Sequence, residues 1–215
     1  MLQKNKGRIA LSSFIVLLPI AFGLCMWKSL PDTIATHWGV DGEADGFSSK
    51  AFAVFGLPGF LLLLHWICLL ATHLDKRQER QSPKALAMVC WIIPIISIGV
   101  CGAVYCVALG LGSSVMPYVC VLLAALFLLI GNYLPKVRPN NTLGFRIPWT
   151  QRSEENWRRT HRFAGKVWVA GGAALLIAML LPPAAICWAI FGVLAAMAIL
   201  PIAYSYCLHR RRGEM

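Results

Sequence analysis

Asp41, Glu43 and Asp45 alternate along the chain and are followed at once by Gly46, which matches the opening of a calcium loop. In such a loop alternate carboxylates converge on a hard cation, glycine permits the sharp turn, and a bidentate carboxylate closes the set at the twelfth position. Here the closing position is Phe52, and the runs on either side are apolar, so the pattern assigns no metal. Two other readings of the stretch 30–50 stay open. In one, Gly39, Gly42 and Gly46 make turns and the acids keep the segment solvated. In the other it is a recognition surface: Asp32, Asp41, Glu43 and Asp45 outnumber Lys50 and would attract a cationic peptide, with Pro31 leading in and Trp38 and Phe47 as apolar anchors. His37 adds a residue type used in pH sensing and metal binding, although a lone loop histidine more often does neither.

A second polar island, 131–166, holds Asn132, Asn140, Asn141, Arg146, Trp149 and His161, an inventory suited to a buried polar network or to a docking surface. Pro135, Pro139, Gly144 and Pro148 make its first half irregular. Ser153 can then cap a helix in which Trp157, His161, Ala164 and Trp168 share one face and Arg158, Arg159, Arg162 and Lys166 occupy the others. Glu155 stands four residues before Arg159, the favourable order for an ion pair on a helix. The plainest reading of the island is a basic anchor with interfacial tryptophans. Within the apolar runs His65 is the clearest ionisable residue, either a functional group in the membrane or a neutral ring bonded between helices. There is no G-x-S-x-G, H-E-x-x-H or glycine-rich phosphate loop, and no enzyme activity or cofactor is read from the chain.

The elements that must position these groups follow from composition. Of 215 residues 58% are hydrophobic and only 13% charged, and the charged ones are bunched. What remains are six apolar segments, about 9–27, 51–74, 85–111, 118–134, 166–181 and 184–208. Lengths near 20 residues suit a hydrocarbon core about 30 Å thick, and only helices or closed barrels satisfy their backbone there. The expected fold is therefore all-α: one domain, 1–215, with six transmembrane helices in one bundle and kinks at Pro19, Pro94 and Pro201. The first segment is too long for the apolar core of a signal peptide and lacks an A-x-A site, so it counts as the first helix. All eight cysteines lie within apolar segments without a CxxC pair and read as packing residues.

The net charge of +11 is explained by where it falls rather than by a nucleic-acid partner. All of the 20 Lys and Arg residues except Lys28 and Lys50 lie in the termini or in the loops 75–84 and 135–166. An even number of crossings puts these on one face, which the positive-inside rule makes cytoplasmic, termini included. The stretch 30–50 is then the one sizeable outer segment.

Taken together, LPDTIATHWGVDGEADGFSSK after the first helix resembles the DUF1648 signature. GNYLPKVRPNNTLGFRIPWTQRSEENWRRTHRFAGKVWVAGG resembles that of the SdpI family of bacterial immunity proteins. The likeness runs over nearly the whole chain, the DUF1648-like part about 9–74 and the SdpI-like part about 118–208. It implies a multi-pass protein of the bacterial plasma membrane that gives resistance to a secreted SdpC-like peptide toxin. It also implies, less directly, a signalling role in which a cytoplasmic winged-helix or helix-turn-helix autorepressor is held at the membrane. By motif, the outer residues are Pro31, His37, Trp38, Gly42 and Gly46. The inner ones are Asn132, Pro135, Asn140, Gly144, Arg146, Pro148, Trp149, Trp157, His161 and Gly165. The partners expected are the toxin, that repressor and membrane lipids, with no direct nucleic-acid contact. The alternative is a small transporter or channel-like protein for an ion or peptide, with His65 and Asn132 along a polar path.

Overall fold

Backbone amides in an apolar phase need partners within their own helix, and every apolar run identified above is helical. The computed structural model describes residues 5–77, 81–112 and 114–211, leaving aside the side chains of 84–86. Lys4, Arg80 and Arg212, which enter the charge bias, and Ser113 in an outer turn lie outside the described residues. In chain order the elements are α1 (Lys6–Cys25), β1 (Thr33–Trp38), β2 (Ala44–Ser49), α2 (Leu57–Leu74), α3 (Pro83–Ala108), α4 (Met116–Tyr133), α5 (Pro148–Arg152), α6 (Glu154–Ala178) and α7 (Pro183–Arg211). A π-helical turn, Phe52–Gly56, leads into α2, and a short 3-10 turn, Leu134–Lys136, follows α4.

The fold is the expected all-α, membrane-type bundle. Among the described residues five helical stretches are long and apolar enough to cross a membrane: Lys6–Cys25, Phe52–Leu74, Ala87–Ala108, Met116–Lys136 and Pro183–Arg211. The remaining apolar segment is the second half of α6, which runs unbroken out of a charged first half. A crossing there would use one helix of 25 residues, about 37 Å long at 1.5 Å per residue.

Pro19, Pro94 and Pro201 lie inside α1, α3 and α7. Proline lacks the N–H that would serve the carbonyl four residues earlier. At Pro201 the freed carbonyl is that of Met197, and Trp168 Nε1 of α6 donates to it at 3.3 Å. Around Pro19, Ser97 Oγ donates to the Val16 carbonyl at 2.7 Å and Tyr105 OH to the Pro19 carbonyl at 3.2 Å. The prolines of α1 and α7 thus lie where a neighbouring helix docks polar groups.

The tightest helix crossing is that of α4 with α6. A Cβ on Gly165 would sit 2.7 Å from the Gly131 carbonyl, and one on Gly131 would sit 2.9 Å from the Gly165 carbonyl. One heptad away, a Cβ on Gly172 would approach the Ala124 carbonyl at 3.0 Å. Small residues at this spacing let two backbones touch, which is how helices associate where lipid removes the hydrophobic drive.

One element has no counterpart in the helical expectation. Residues 33–49 form an antiparallel hairpin with Thr33 opposite Ser49 and Trp38 opposite Ala44, its register broken by irregularities near His37. Its inner edge is apolar: Ile34 is buried with Leu30 against Val16, Val54 and Tyr105.

Candidate functional site

The hairpin caps one end of the bundle. Its turn closes through Gly39 N–H to the Glu43 carbonyl at 2.8 Å and Gly42 N–H to the Gly39 carbonyl at 3.0 Å, with the Asp41 carboxylate accepting from Glu43 N–H at 3.1 Å. Gly42 has φ +88, and a Cβ there would lie 2.6 Å from Pro183, so the turn rests on the first residue of α7. Two of the acids that counted toward an attractive surface have partners within the chain. Asp45 pairs with His37 at 2.5 Å, and Asp32 pairs with Lys50 at 3.1 Å. Lys50 also donates to the Trp27 carbonyl and lies over the Trp27 ring. Asp41 and Glu43 remain exposed at the tip, beside Val40 and Phe47, the latter 64% exposed. Trp38 faces inward and is partly buried, and Pro31 is exposed. Among the described residues no group of three or more His, Cys, Asp or Glu is disposed to hold a metal ion, so the carboxylates of the DGEADG turn do not converge.

At the opposite end, the segment 137–152 is tied into a knot of hydrogen bonds. Its centre is Asn140, fully buried. Its amide donates to the carbonyls of Arg138 and Leu143 at 2.8 and 3.0 Å and accepts from the N–H groups of Thr142 and Leu143 at 2.8 and 2.5 Å. All four bonding positions of the side chain are used. Asp75, only 9% exposed where α2 ends, accepts from Arg77 N–H, Asn141 N–H, the Asn141 amide and the Thr142 hydroxyl at 2.9 to 3.1 Å. Burial alone would raise its pKa. The four donors outweigh that and hold the carboxyl below its usual range. Gln81 pairs with both backbone groups of Arg138, and Gln151 Nε2 donates to the Asn140 carbonyl.

His161 locks the knot to α6. Its Nδ1 lies 2.9 Å from the Trp157 carbonyl, an acceptor, and Phe145 N–H donates to its Nε2 at 3.1 Å. Nδ1 therefore carries the proton and Nε2 does not, so the ring is a neutral imidazole. Burial pushes its pKa down to about 4, against the opposing pull of the Trp157 carbonyl. Gly144, φ +94, passes over this ring so closely that a Cβ would meet Nε2 at 2.2 Å. Trp157, itself buried, stacks on His161 at 4.1 Å and donates to the Val137 carbonyl at 2.8 Å. Thr150 closes the turn before α5, accepting from Ile147 N–H and donating to the Phe145 carbonyl.

Of the residues singled out from sequence, Asn140, Gly144, Trp157 and His161 meet in this knot, and Gly165 lies at the α4–α6 crossing. Trp149 packs against Tyr206 and His209 of α7. Arg146 donates to the Asn141 carbonyl. Asn132, Pro135 and Pro148 are exposed. His65 is fully buried between α1 and α2, where its Nε2 meets Ser12 Oγ at 3.0 Å. Asn132, exposed at the far end of α4, shares no hydrogen bond with it, and the two are not brought together.

Two groups escaped sequence reasoning. Asp75 was counted only as part of a basic loop, although it is a carboxylate standing at the very end of an apolar run. Asn156 is buried, donates to the Ser205 carbonyl and accepts from the hydroxyls of Ser205 at 2.6 Å and Thr160 at 2.9 Å, fastening α6 to α7. Only its four-residue spacing from Thr160 hinted at this. The Ser153 cap on Asn156 N–H and the Glu155–Arg159 pair are as expected.

These features define a multi-helix membrane-type protein with a hairpin at one end and a hydrogen-bonded knot at the other. Residues 136–205 match the SdpI/YfhL protein family, and residues 14–62 match a domain of unknown function, DUF1648. The chain therefore carries an SdpI-family segment, preceded by a DUF1648 segment. It is 25% identical over 168 residues to the immunity protein SdpI of Bacillus subtilis (strain 168), an alignment covering 78% of this chain and 79% of the relative. No solved structure matches.

Proposed function

We propose that this protein is a single-domain, multi-pass immunity protein of the bacterial plasma membrane, with both termini cytoplasmic and without enzyme activity. It protects its cell from a secreted, SdpC-like peptide toxin. The observation that carries the reading is the alignment with an immunity protein over most of both chains, alongside family matches at 14–62 and 136–205 that take in the hairpin and the knot. The hairpin is the toxin-facing element. With Asp32 and Asp45 held by Lys50 and His37, its exposed contact groups are Val40, Asp41, Glu43 and Phe47. A peptide that is both cationic and apolar fits that mixture. The knot on the other face is the docking platform for a cytoplasmic autorepressor, offering Asn141 and Arg146 on a rigid frame.

The test is survival of a sensitive bacterium, lacking its own immunity gene, that expresses this chain and is challenged with an SdpC-like peptide. Wild type should protect, and Phe47→Ser with Val40→Ser should abolish protection at unchanged membrane abundance. Killing as rapid as in cells without the chain would refute the reading. The signalling branch is lost if the repressor stays in the soluble fraction with and without toxin.

A further inference from the structure

Arg158, Arg159, Arg162 and Lys166 follow Glu155 by three, four, seven and eleven residues and so form one stripe along α6. With Phe163, and Tyr204 from α7, they line a groove of about 400 Å³. The two rings stack at 4.5 Å and 21° and tie the two helices together beside it. Glu155 orders the upper part of the groove, bonding Arg158 and meeting Arg159 at 2.5 Å. These guanidiniums hold its carboxyl below the usual range. Arg162 and Lys166 have no hydrogen bond or ion pair with the protein among the described residues. Four cations thus face one carboxylate.

Below Lys166 the same stripe turns apolar and stays exposed, through Val169, Ala173, Leu176 and Ile177, the last 72% exposed. A cationic groove directly above an open apolar track, on a helix of a membrane protein, matches a molecule with an anionic head and a hydrocarbon tail. Guanidinium forks complement phosphate oxygens, and a flanking tyrosine suits the membrane interface.

We propose that this groove binds the phosphate of an anionic phospholipid, with one acyl chain lying along Val169, Ala173 and Ile177. Free phosphate shares the head-group chemistry but has nothing to place on the apolar track. The inference does not rest on the toxin reading or on the orientation of the chain, since phospholipids occupy both leaflets.

Native mass spectrometry of the full chain released from micelles tests it, with phosphatidylglycerol or phosphatidylcholine added at equal concentration. Phosphatidylglycerol should bind in preference. Arg162→Gln with Lys166→Gln, which spares the Glu155 pairs, should weaken its binding about tenfold or more. The charge-matched control Lys76→Gln with Arg77→Gln, both exposed just beyond α2 and not among the residues that line the groove, should leave binding unchanged, as should Lys166→Arg. Circular dichroism confirms that the variants keep their helix content. Equal binding of the two lipids, equal loss in both double variants, or displacement by millimolar inorganic phosphate would each overturn the assignment.

Discussion

Acidification tests the neutral imidazole that locks the knot. The ring of His161 has its Nε2 occupied as an acceptor for Phe145 N–H, so a proton there would set two donors against each other. Its pKa is about 4 in the folded chain, against 6.5 for an ordinary histidine. Between those values the unfolded chain binds a proton that the folded one refuses. Stability is therefore complete above 6.5, falls as the pH drops below it, and levels off near 4. At pH 5 the linkage amounts to about 2 kcal/mol, and at full protonation to about 3 kcal/mol. The assay is denaturant unfolding in micelles across this range, with wild type and His161→Gln compared so that other histidines cancel. Wild type should lose about 2 kcal/mol more than the variant between about pH 7 and about pH 5. The amide of Phe145 should lose protection, measured against its intrinsic exchange rate, in the same window. Identical pH dependence in the two proteins would refute the argument, as would a His161 nitrogen resonance titrating near 6.5.

Two further outcomes concern the frame. Gly165→Ala inserts a methyl 2.7 Å from the Gly131 carbonyl, so α4 and α6 must part. The expected loss is about 1–3 kcal/mol, read from unfolding in mixed micelles, and an unchanged midpoint would contradict the close crossing. Asp75→Ala strands the Asn141 and Arg77 amides, each at a cost of about 1–3 kcal/mol. Protease cleavage within 137–147 should accelerate sharply. Because the folded carboxyl is held below its usual 3.8, wild type should show that acceleration only as the pH falls beneath about 4.

The helices were legible because burial in lipid leaves a coarse signature: long apolar runs with the charges swept to their ends. The hairpin left a fainter one. In Thr33–Trp38 the inward Ile34, Thr36 and Trp38 alternate with outward residues over a mere three pairs, and the acidic turn behind them drew attention to metal chemistry instead. For the site, residue types pointed to the right island, and His161 and Asn140 could be named from it. Their partners could not. Asp75 reaches Asn141 across 66 residues and Asn156 reaches Ser205 across 49, pairings that no local spacing encodes. Gly165 was named from its motif, whereas its counterpart Gly131 became visible only when the two backbones were seen to touch.

The contact of Gly42 with Pro183 joins the first family segment to the last helix at one end of the bundle, and the bonds from Asp75 and Gln81 to 138–142 join the halves again at the other. Between these two fastenings, α3 and α4 border an open apolar groove of about 730 Å³ near Gly99 and Gly102. Because the hairpin turn rests directly on Pro183, a substitution that displaces Gly42 acts on the start of α7 as well as on the hairpin.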